Sequence, residues 1–345
     1  MPNTRLDTLR HWLEGLPTSW GLDLSSLVPA SSDASFRRYF RLHSQNALYP
    51  TLIVMDAPPQ SEPIEPFIAI AELLQKAGLH VPRVLEKNTS DGFLLLSDLG
   101  STTYLTALND ANADALYGDA INALVAMQLA SHPGVLPEYS EALLQRELDL
   151  LPEWYLKKHL QFELTADEEK TMRNTFSLIL KNNLAQPQVY VHRDFHSRNL
   201  MRTETHNPGI LDFQDAVNGP ITYDAASLWR DAYIEWPEER VIDWVARYWD
   251  LGRKKGLPMH ADFGEFYRDF EWMGLQRHIK VLGIFARLYH RDGKDAYLKD
   301  IPLVLKYALA TANRYIELKP LARLLERANS VLTRGNCSGD RRWHS

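Results

Sequence analysis

The stretch that most restricts how this chain can fold is residues 189–215, VYVHRDFHSRNLMRTETHNPGILDFQD. Val189-Tyr190-Val191 is a short apolar run that suits a buried strand. His192-Arg193-Asp194 then opens a polar loop that ends at Asn199. Leu200-Met201 and Gly209-Ile210-Leu211 flank a turn containing Asn207-Pro208-Gly209, which is the pattern of a hairpin. The second arm ends on Asp212, so the chain doubles back and returns Asp212 toward Asn199. Asp194, Asn199 and Asp212 are then expected to face one small volume.

Asn199 and Asp212 both offer oxygen, and Mg²⁺ prefers a few protein oxygens together with phosphate oxygens. A carboxylate at Asp194, on the rim of the same loop, can orient a hydroxyl and accept its proton during phosphoryl transfer. Each residue alone also reads as an ordinary turn former. The ordered set of strand, His-x-Asp, Asn, hairpin and Asp carries the chemical reading. His192 and His196 lie in the loop with no third ligand in view, so they do not read as a metal site.

A chain of 345 residues has room for two lobes, and 45% hydrophobic with 24% charged residues is ordinary for a globular protein. A net charge of −6 gives no support for a nucleic-acid or anionic-membrane partner. No apolar run is long enough to span a bilayer. The amphipathic, charged N-terminus MPNTRLDTLRHWLEGL does not read as a signal peptide. Cys337 is the only cysteine, which excludes disulfide frameworks and cysteine-based zinc sites. A cytoplasmic location is expected.

Before this stretch, residues 4–15 show helical spacing and Phe36 to Leu42 alternate as a strand. Strands are also expected from Val28, over Leu52 to Met55, at Val84-Leu85 and over Phe93 to Leu96, with a helix from Pro66 to Ala77. Arg38 shares a strand face with Phe36, Phe40 and Leu42, so it needs a fixed anionic partner: a bound triphosphate or a buried carboxylate. Beyond Gly100 the pattern is helical, over about 110–130, 140–160, 165–183, 224–235, 238–256, 262–290 and 295–330. Asp224 reads as an N-cap or a partner for a loop Arg. Trp229, Arg230, Asp231, Tyr233 and Trp236 crowd one region. Trp faces can cover a sugar ring while Arg and Asp bond its hydroxyls, although aromatics at helical spacing are commonly core. Arg277 interrupts an apolar helical face beside His278 and Lys280, so it must meet a carboxylate or a ligand oxygen.

The H-R-D-x-x-x-x-N string followed by D-F-Q resembles the catalytic loop and metal-binding Asp of the protein-kinase-like superfamily. Segment Pro220 to Ala226 is similar to the P-x-x-Y-D-L-A stretch of aminoglycoside-phosphotransferase and choline-kinase relatives. The strings SDASFRRYFR, LIVMDAPP, VHRDFHSRNLM, ILDFQDA and GLQRHIKVLGIFARL look most like the cell-wall-recycling anomeric N-acetylmuramate/N-acetylglucosamine kinases. The resemblance spans nearly the whole chain.

It implies an α+β, bilobal, protein-kinase-like fold. A small antiparallel-sheet lobe over 1–98 would be followed by a larger helical lobe over 99–333 and a flexible tail over 334–345. It implies ATP as co-substrate and Mg²⁺ at Asn199 and Asp212, with Asp194 as the catalytic base. Nucleotide contacts would come from Ser31, Ser32 and Ser35 in the phosphate-covering turn, from Arg38 and Arg41, from Leu96, Asp98 and Leu99 at the hinge, and from His196. Trp229, Arg230, Asp231, Arg277 and His278 would form the sugar site. The chain departs from the pattern on the third strand, where Met55 stands in place of the usual Lys; Arg38 or Arg41 is expected to substitute. An amino-alcohol or aminoglycoside kinase and a nucleotide-binding scaffold with little catalysis remain alternatives. The oligomeric state is open.

Overall fold

The structure, a computed structural model, describes residues 4–32 and 36–337. The chain divides into two compact units: residues up to 127 with 198–216, and 128–197 with 217 onward.

The first unit is built on a five-stranded antiparallel sheet of order β1-β2-β3-β5-β4. Its strands are β1 (Leu22–Ser32), β2 (Arg38–Ser44), β3 (Thr51–Asp56), β4 (Val84–Asn88) and β5 (Phe93–Ser97). Helix α1 (Thr4–Glu14) lays Leu9 and Leu13 on Leu42, Leu52, Val54, Phe93 and Leu95. The alternation of β3 and β5 makes this possible, because residues two apart share one face of a sheet. Helix α2 (Glu65–Lys76) turns Phe67, Ile70, Ala71 and Leu74 inward. Strand β1 begins earlier than expected from Val28, and its register is irregular between Asp23 and Val28. There Asp23 accepts from the backbone and side chain of Ser25, a local bond that competes with ladder pairing and hides the strand from pattern reading. Two further helices follow, α3 (Tyr104–Ala107) and α4 (Ala113–Leu129).

The hairpin of the key stretch pairs β7 (Leu200–Met201) with β8 (Gly209–Ile210) and belongs to this first unit. Asn207 Nδ2 donates to Asp119 at 2.7 Å and to the Tyr104 hydroxyl at 2.8 Å. The Arg202 N–H donates to the Thr102 carbonyl at 2.8 Å, and that of Ile210 to the His80 carbonyl at 2.8 Å.

The second unit is mainly helical. Helix α5 (Glu141–Leu148) precedes a π-helical segment, Leu151–His159, so the expected helix over 140–160 is interrupted; Pro152 lacks the N–H an α-helix needs there. Helix α6 (Ala166–Leu184) starts with a capping box of Thr165 and Glu168. Strand β6 (Gln188–Val191) pairs with β9 (Val217–Pro220), a strand that pattern reading did not anticipate. Helix α7 (Tyr223–Trp229) stops before the irregular run 230–237, so the helix expected over 224–235 is half as long. Then come α8 (Glu238–Lys254) and α9 (Phe263–Asp292), a 30-residue helix capped by Asp262 and closed by Gly293 at φ 67°. The single helix expected over 295–330 is a short 3₁₀ turn, Asp295–Asp300, followed by α10 (Ile301–Arg314) and α11 (Lys319–Cys337). Among the described residues, no helix is long and apolar enough to cross a membrane.

Candidate active site

In the second unit the loop leaving β6 is pinned by two carboxylates. Asp224, in the first turn of α7 and fully buried, accepts the N–H of His192 at 2.7 Å and of Arg193 at 3.0 Å. Burial pushes its carboxyl up to about 7, against the pull of those two N–H groups and of Arg277. Asp224 therefore holds loop backbone; it makes no cap. Asp231, 1% exposed, accepts the N–H and hydroxyl of Ser197 at 3.0 and 2.5 Å. It was expected at the sugar, and its Oδ2 is instead spent on the loop. Arg193 sits between these anchors at φ 77°.

Asp194 is the half-buried tip of this loop. Its N–H donates to His192 Nδ1 at 3.2 Å, which places the His192 ring proton on Nε2. Burial would raise the Asp194 carboxyl. Lys280, His196, Arg277 and His192, in that order of size, together outweigh that and lower it to about 2. Arg277 Nη2 lies 3.8 Å from Asp194 Oδ1, and His196 Nε2 4.0 Å. The side chain is nonetheless 42% accessible, so part of this field passes through solvent, and Asp194 is ionised at neutral pH.

Beneath Asp194 runs a buried charge network on Glu147. Lys280 Nζ is 3.1 Å from Glu147 Oε1 and Arg193 Nη2 is 2.7 Å from the same atom; the Tyr139 hydroxyl donates to Oε2. Lys280 also donates to the Tyr223 hydroxyl at 3.0 Å. Sequence reading noted Lys280 only as a neighbour of Arg277. The missed signal was a second cation on a helix face that is otherwise apolar, for which Glu147 supplies the counter-charge from α5.

In the first unit the hairpin returns Asp212 to Asn199, as expected. Asn199 Nδ2 donates to Asp212 Oδ2 at 3.3 Å, and the Leu211 N–H to the Asn199 carbonyl at 2.9 Å. Asp212 has φ 61°, and Gln214 Nε2 donates to its Oδ1 at 2.8 Å. Gln214 thus steadies the carboxylate from the third position of D-F-Q. Phe213, fully buried, packs on Phe67 of α2 with centroids 4.8 Å apart. Among the described residues no group of three or more His, Cys, Asp or Glu side chains can hold a metal, so an ion at Asn199 and Asp212 must rely on oxygen donors from a ligand and water.

The remaining expected residues divide. Arg38 has the second of its two possible partners: its Nε and Nη2 donate to Asp56 Oδ2 at 2.9 and 2.5 Å, and Arg5 holds the other oxygen of this fully buried carboxylate. Arg41 binds Asp98 with Nε and Nη2 at 2.6 and 2.9 Å and the Gly100 carbonyl at 2.8 Å. Leu96 and Leu99 are buried. Ser31 and Ser32 end β1 opposite Tyr39 and Arg38, and Ser35 lies outside the described residues. Trp229 is 1% exposed and packs on Tyr248, so its ring serves the core and offers no face to a sugar. His278 is buried; its Nε2 donates to the Arg230 carbonyl at 3.0 Å, its ring stacks on Tyr307, and burial lowers its pKa to about 3. It is a neutral structural histidine. Arg230 lies against Glu238 and Tyr267.

Residues 26–257 match the phosphotransferase enzyme family. The chain is 47% identical to the N-acetylmuramate/N-acetylglucosamine kinase of Pseudomonas aeruginosa, covering 94% of this chain and 96% of that one. It is 48% identical to the protein of that name from Neisseria meningitidis, covering 92% and 94%. Its fold matches ADP-bound aminoglycoside phosphotransferase APH(2'')-Ib with a TM-score of 0.59 at 16% identity, covering 89% of this chain and 98% of that one. LicA in complex with AMP gives a TM-score of 0.59 at 13% identity, covering 90% and 100%. At such identities the structures speak for the fold alone, while the sequence matches speak for kinship: the chain belongs to the phosphotransferase enzyme family.

Proposed function

We propose that this protein is an ATP- and Mg²⁺-dependent kinase for N-acetylmuramate and N-acetylglucosamine that phosphorylates the anomeric C1 hydroxyl in cell-wall sugar recycling. The observation that carries the reaction type is the ionised, accessible Asp194 on a loop clamped by Asp224 and Asp231. The substrate pair rests on the kinship with the Pseudomonas and Neisseria kinases. A cytoplasmic enzyme with access to ATP fits this reading. So does a division of labour between a nucleotide lobe over 1–98 and a catalytic and sugar-binding lobe over 99–333.

Asn199 and Asp212 fit magnesium by their donor chemistry, an amide oxygen and a carboxylate within one hydrogen bond of each other. Bound there with nucleotide phosphates, the ion would neutralise charge on the transferred group. Asp194 orients the acceptor hydroxyl and takes its proton late, as bonding to phosphorus proceeds. A carboxylate held at about 2 is a weak base. That suits an anomeric hydroxyl, which is more acidic than other ring hydroxyls because the ring oxygen withdraws charge from C1, and it suits a loose transition state that asks for little early proton removal. Arg38, tethered by Asp56 through one edge, offers its remaining donor to the nucleotide phosphates in place of the strand lysine. Ser31, Ser32, Ser35, Leu96, Asp98, Leu99 and His196 complete the nucleotide site in this reading.

The test is product structure. Phosphorus–carbon coupling in the NMR spectrum should locate phosphate on C1, and the product should lose its reducing end. A product that remains reducing would refute C1 transfer and leave a kinase of another position. Asp194→Asn should lower kcat by about 10²–10⁴ while nucleotide binding survives, whereas Asp212→Asn should weaken Mg²⁺-dependent ATP binding as well.

A further inference from the structure

One cavity of the second unit, about 450 Å³, is lined by no residue of the loop 192–197. Its charged wall comes from Arg230, Glu238, Glu271 and Arg314 and from Lys306 and Glu235, which pair with each other, with Trp236 and Tyr307 beside them. The volume is within the range of small-molecule sites.

The side chains there are not equally engaged. Arg314 is bound to Glu271 and Glu238. Glu238 Oε1 accepts from Arg230 at 3.1 Å, from Tyr267 at 3.2 Å and from Arg314 at 2.9 Å, so one oxygen serves three donors. Glu271 takes Arg314 and the Tyr315 hydroxyl. The aromatic rings are engaged: Tyr307 stacks with the His278 ring and also meets the Arg230 guanidinium, and Arg240 lies over Trp236. Arg230 differs. It is 7% exposed, and only its Nη2 is bonded, to Glu238 and Tyr267; Nε and Nη1 have no hydrogen-bond partner in the protein among the described residues. A buried guanidinium with unbonded N–H groups on a cavity is a receptor for an anion; Nε and Nη1 lie on different edges, so each offers one single charge-assisted hydrogen bond, to a carboxylate oxygen for example.

The cavity is tied to the catalytic loop at two points. Asp231, the next residue after Arg230, clamps Ser197. The Arg230 carbonyl is held by His278, which adjoins Arg277, the residue facing Asp194. Of the other cations near Asp194, Lys280 is on Glu147 and Tyr223, and Arg277 packs over the Tyr223 ring with its buried Nε unbonded but does not line this cavity.

We infer that this cavity is a carboxylate site and that Arg230 is its receptor, and hence the residue that distinguishes a carboxylate-bearing acceptor from an uncharged one. This rests on the proposed function for its substrate: N-acetylmuramate differs from N-acetylglucosamine by a lactyl ether on O3, a substituent remote from the reacting C1 hydroxyl. The same chemistry would also accept a free small carboxylate as a second ligand.

The experiment measures kcat/KM for both sugars in wild type, Arg230→Gln and Ala310→Glu, together with calorimetric binding of N-acetylmuramate, N-acetylglucosamine and D-lactate. Ala310 is an exposed residue of α10 on the cavity wall, so Ala310→Glu adds a tethered, competing carboxylate without disturbing the interior. The ratio of kcat/KM for N-acetylmuramate over N-acetylglucosamine should fall about 10- to 100-fold in Arg230→Gln, the loss of a charge-assisted contact, and should fall in Ala310→Glu too. If wild type phosphorylates neither sugar but binds D-lactate in an Arg230-dependent way, the proposed function fails and the carboxylate site stands, with a free acid as its ligand. An unchanged ratio in both variants, with no Arg230-dependent carboxylate binding, overturns the inference whether or not the sugars are phosphorylated. A misfolded Arg230→Gln leaves the decision to Ala310→Glu, for which an unchanged ratio is equally fatal.

Discussion

Replacing Lys280 by Met removes one buried cation of about the right length and leaves its partners in place. Lys280 is 7% exposed and Glu147 5%, with 3.1 Å between their charged atoms. Breaking such a pair from one side typically costs about 3–5 kcal/mol, because the remaining charge stays buried. Here Glu147 keeps Arg193 and the Tyr139 hydroxyl, while the Tyr223 hydroxyl loses its contact with Lys280. The loss should therefore fall near the lower end, about 3 kcal/mol. Urea unfolding at neutral pH measures it. The pH dependence follows from the shifts. Burial would raise the Glu147 carboxyl, but Lys280 and then Arg193 outweigh it and hold it below 4.5. A depressed carboxyl contributes stability that is present above its unfolded pKa and lost as pH falls through the folded one. Lys280 is raised above 10.5, since Glu147 and its neighbours outweigh burial, so its contribution is present below 10.5 and lost above its folded pKa. The gap between wild type and Lys280→Met should thus be widest between these limits and narrow toward acid. The acid limb of kcat/KM should also move up, because Lys280 is the leading charge that holds Asp194 low. A loss below about 1 kcal/mol with an unmoved acid limb would refute the reasoning, as would a coupling near zero in the cycle with Glu147→Gln.

Asp224→Ala should cost about 1.5–3 kcal/mol for each of the two loop N–H bonds it removes, read as a drop in unfolding free energy, and should lower kcat along with stability because the loop carrying Asp194 loses its anchor. Arg38→Ala should raise KM for ATP about tenfold or more while Arg5 keeps Asp56 paired and the fold intact; an unchanged KM would place the phosphate-binding cation elsewhere.

The hairpin and the return of Asp212 to Asn199 were legible in the sequence because both depend on local signals, a turn between two apolar pairs. The sheet was legible for the same reason, since alternation in β2 and β3 is read a few residues at a time. Arg38 marks where such reading ends. Its surroundings demanded an anion, but the choice between ligand and carboxylate lay in register, which sets Arg38 directly across from Asp56. Glu147 and Lys280, far apart in sequence, meet only through the packing of α5 on α9, and nothing local to either announces the pair. The early end of α7 was missed because residues 230–237 keep helical spacing of aromatics while Asp231 and the Arg230 carbonyl are committed to partners outside any helix.

Arg193 has a consequence for anyone engineering this enzyme. Residues in the left-handed region are routine targets for stabilisation by glycine, which relieves about 1 kcal/mol of steric cost. At position 193 that substitution would ease the backbone and simultaneously strip a guanidinium from Glu147, leaving Lys280 as its cationic partner among the described residues. The usual rule should therefore fail here in the opposite direction, and a stability library built on backbone geometry alone would rank as beneficial a change that uncouples the floor beneath Asp194.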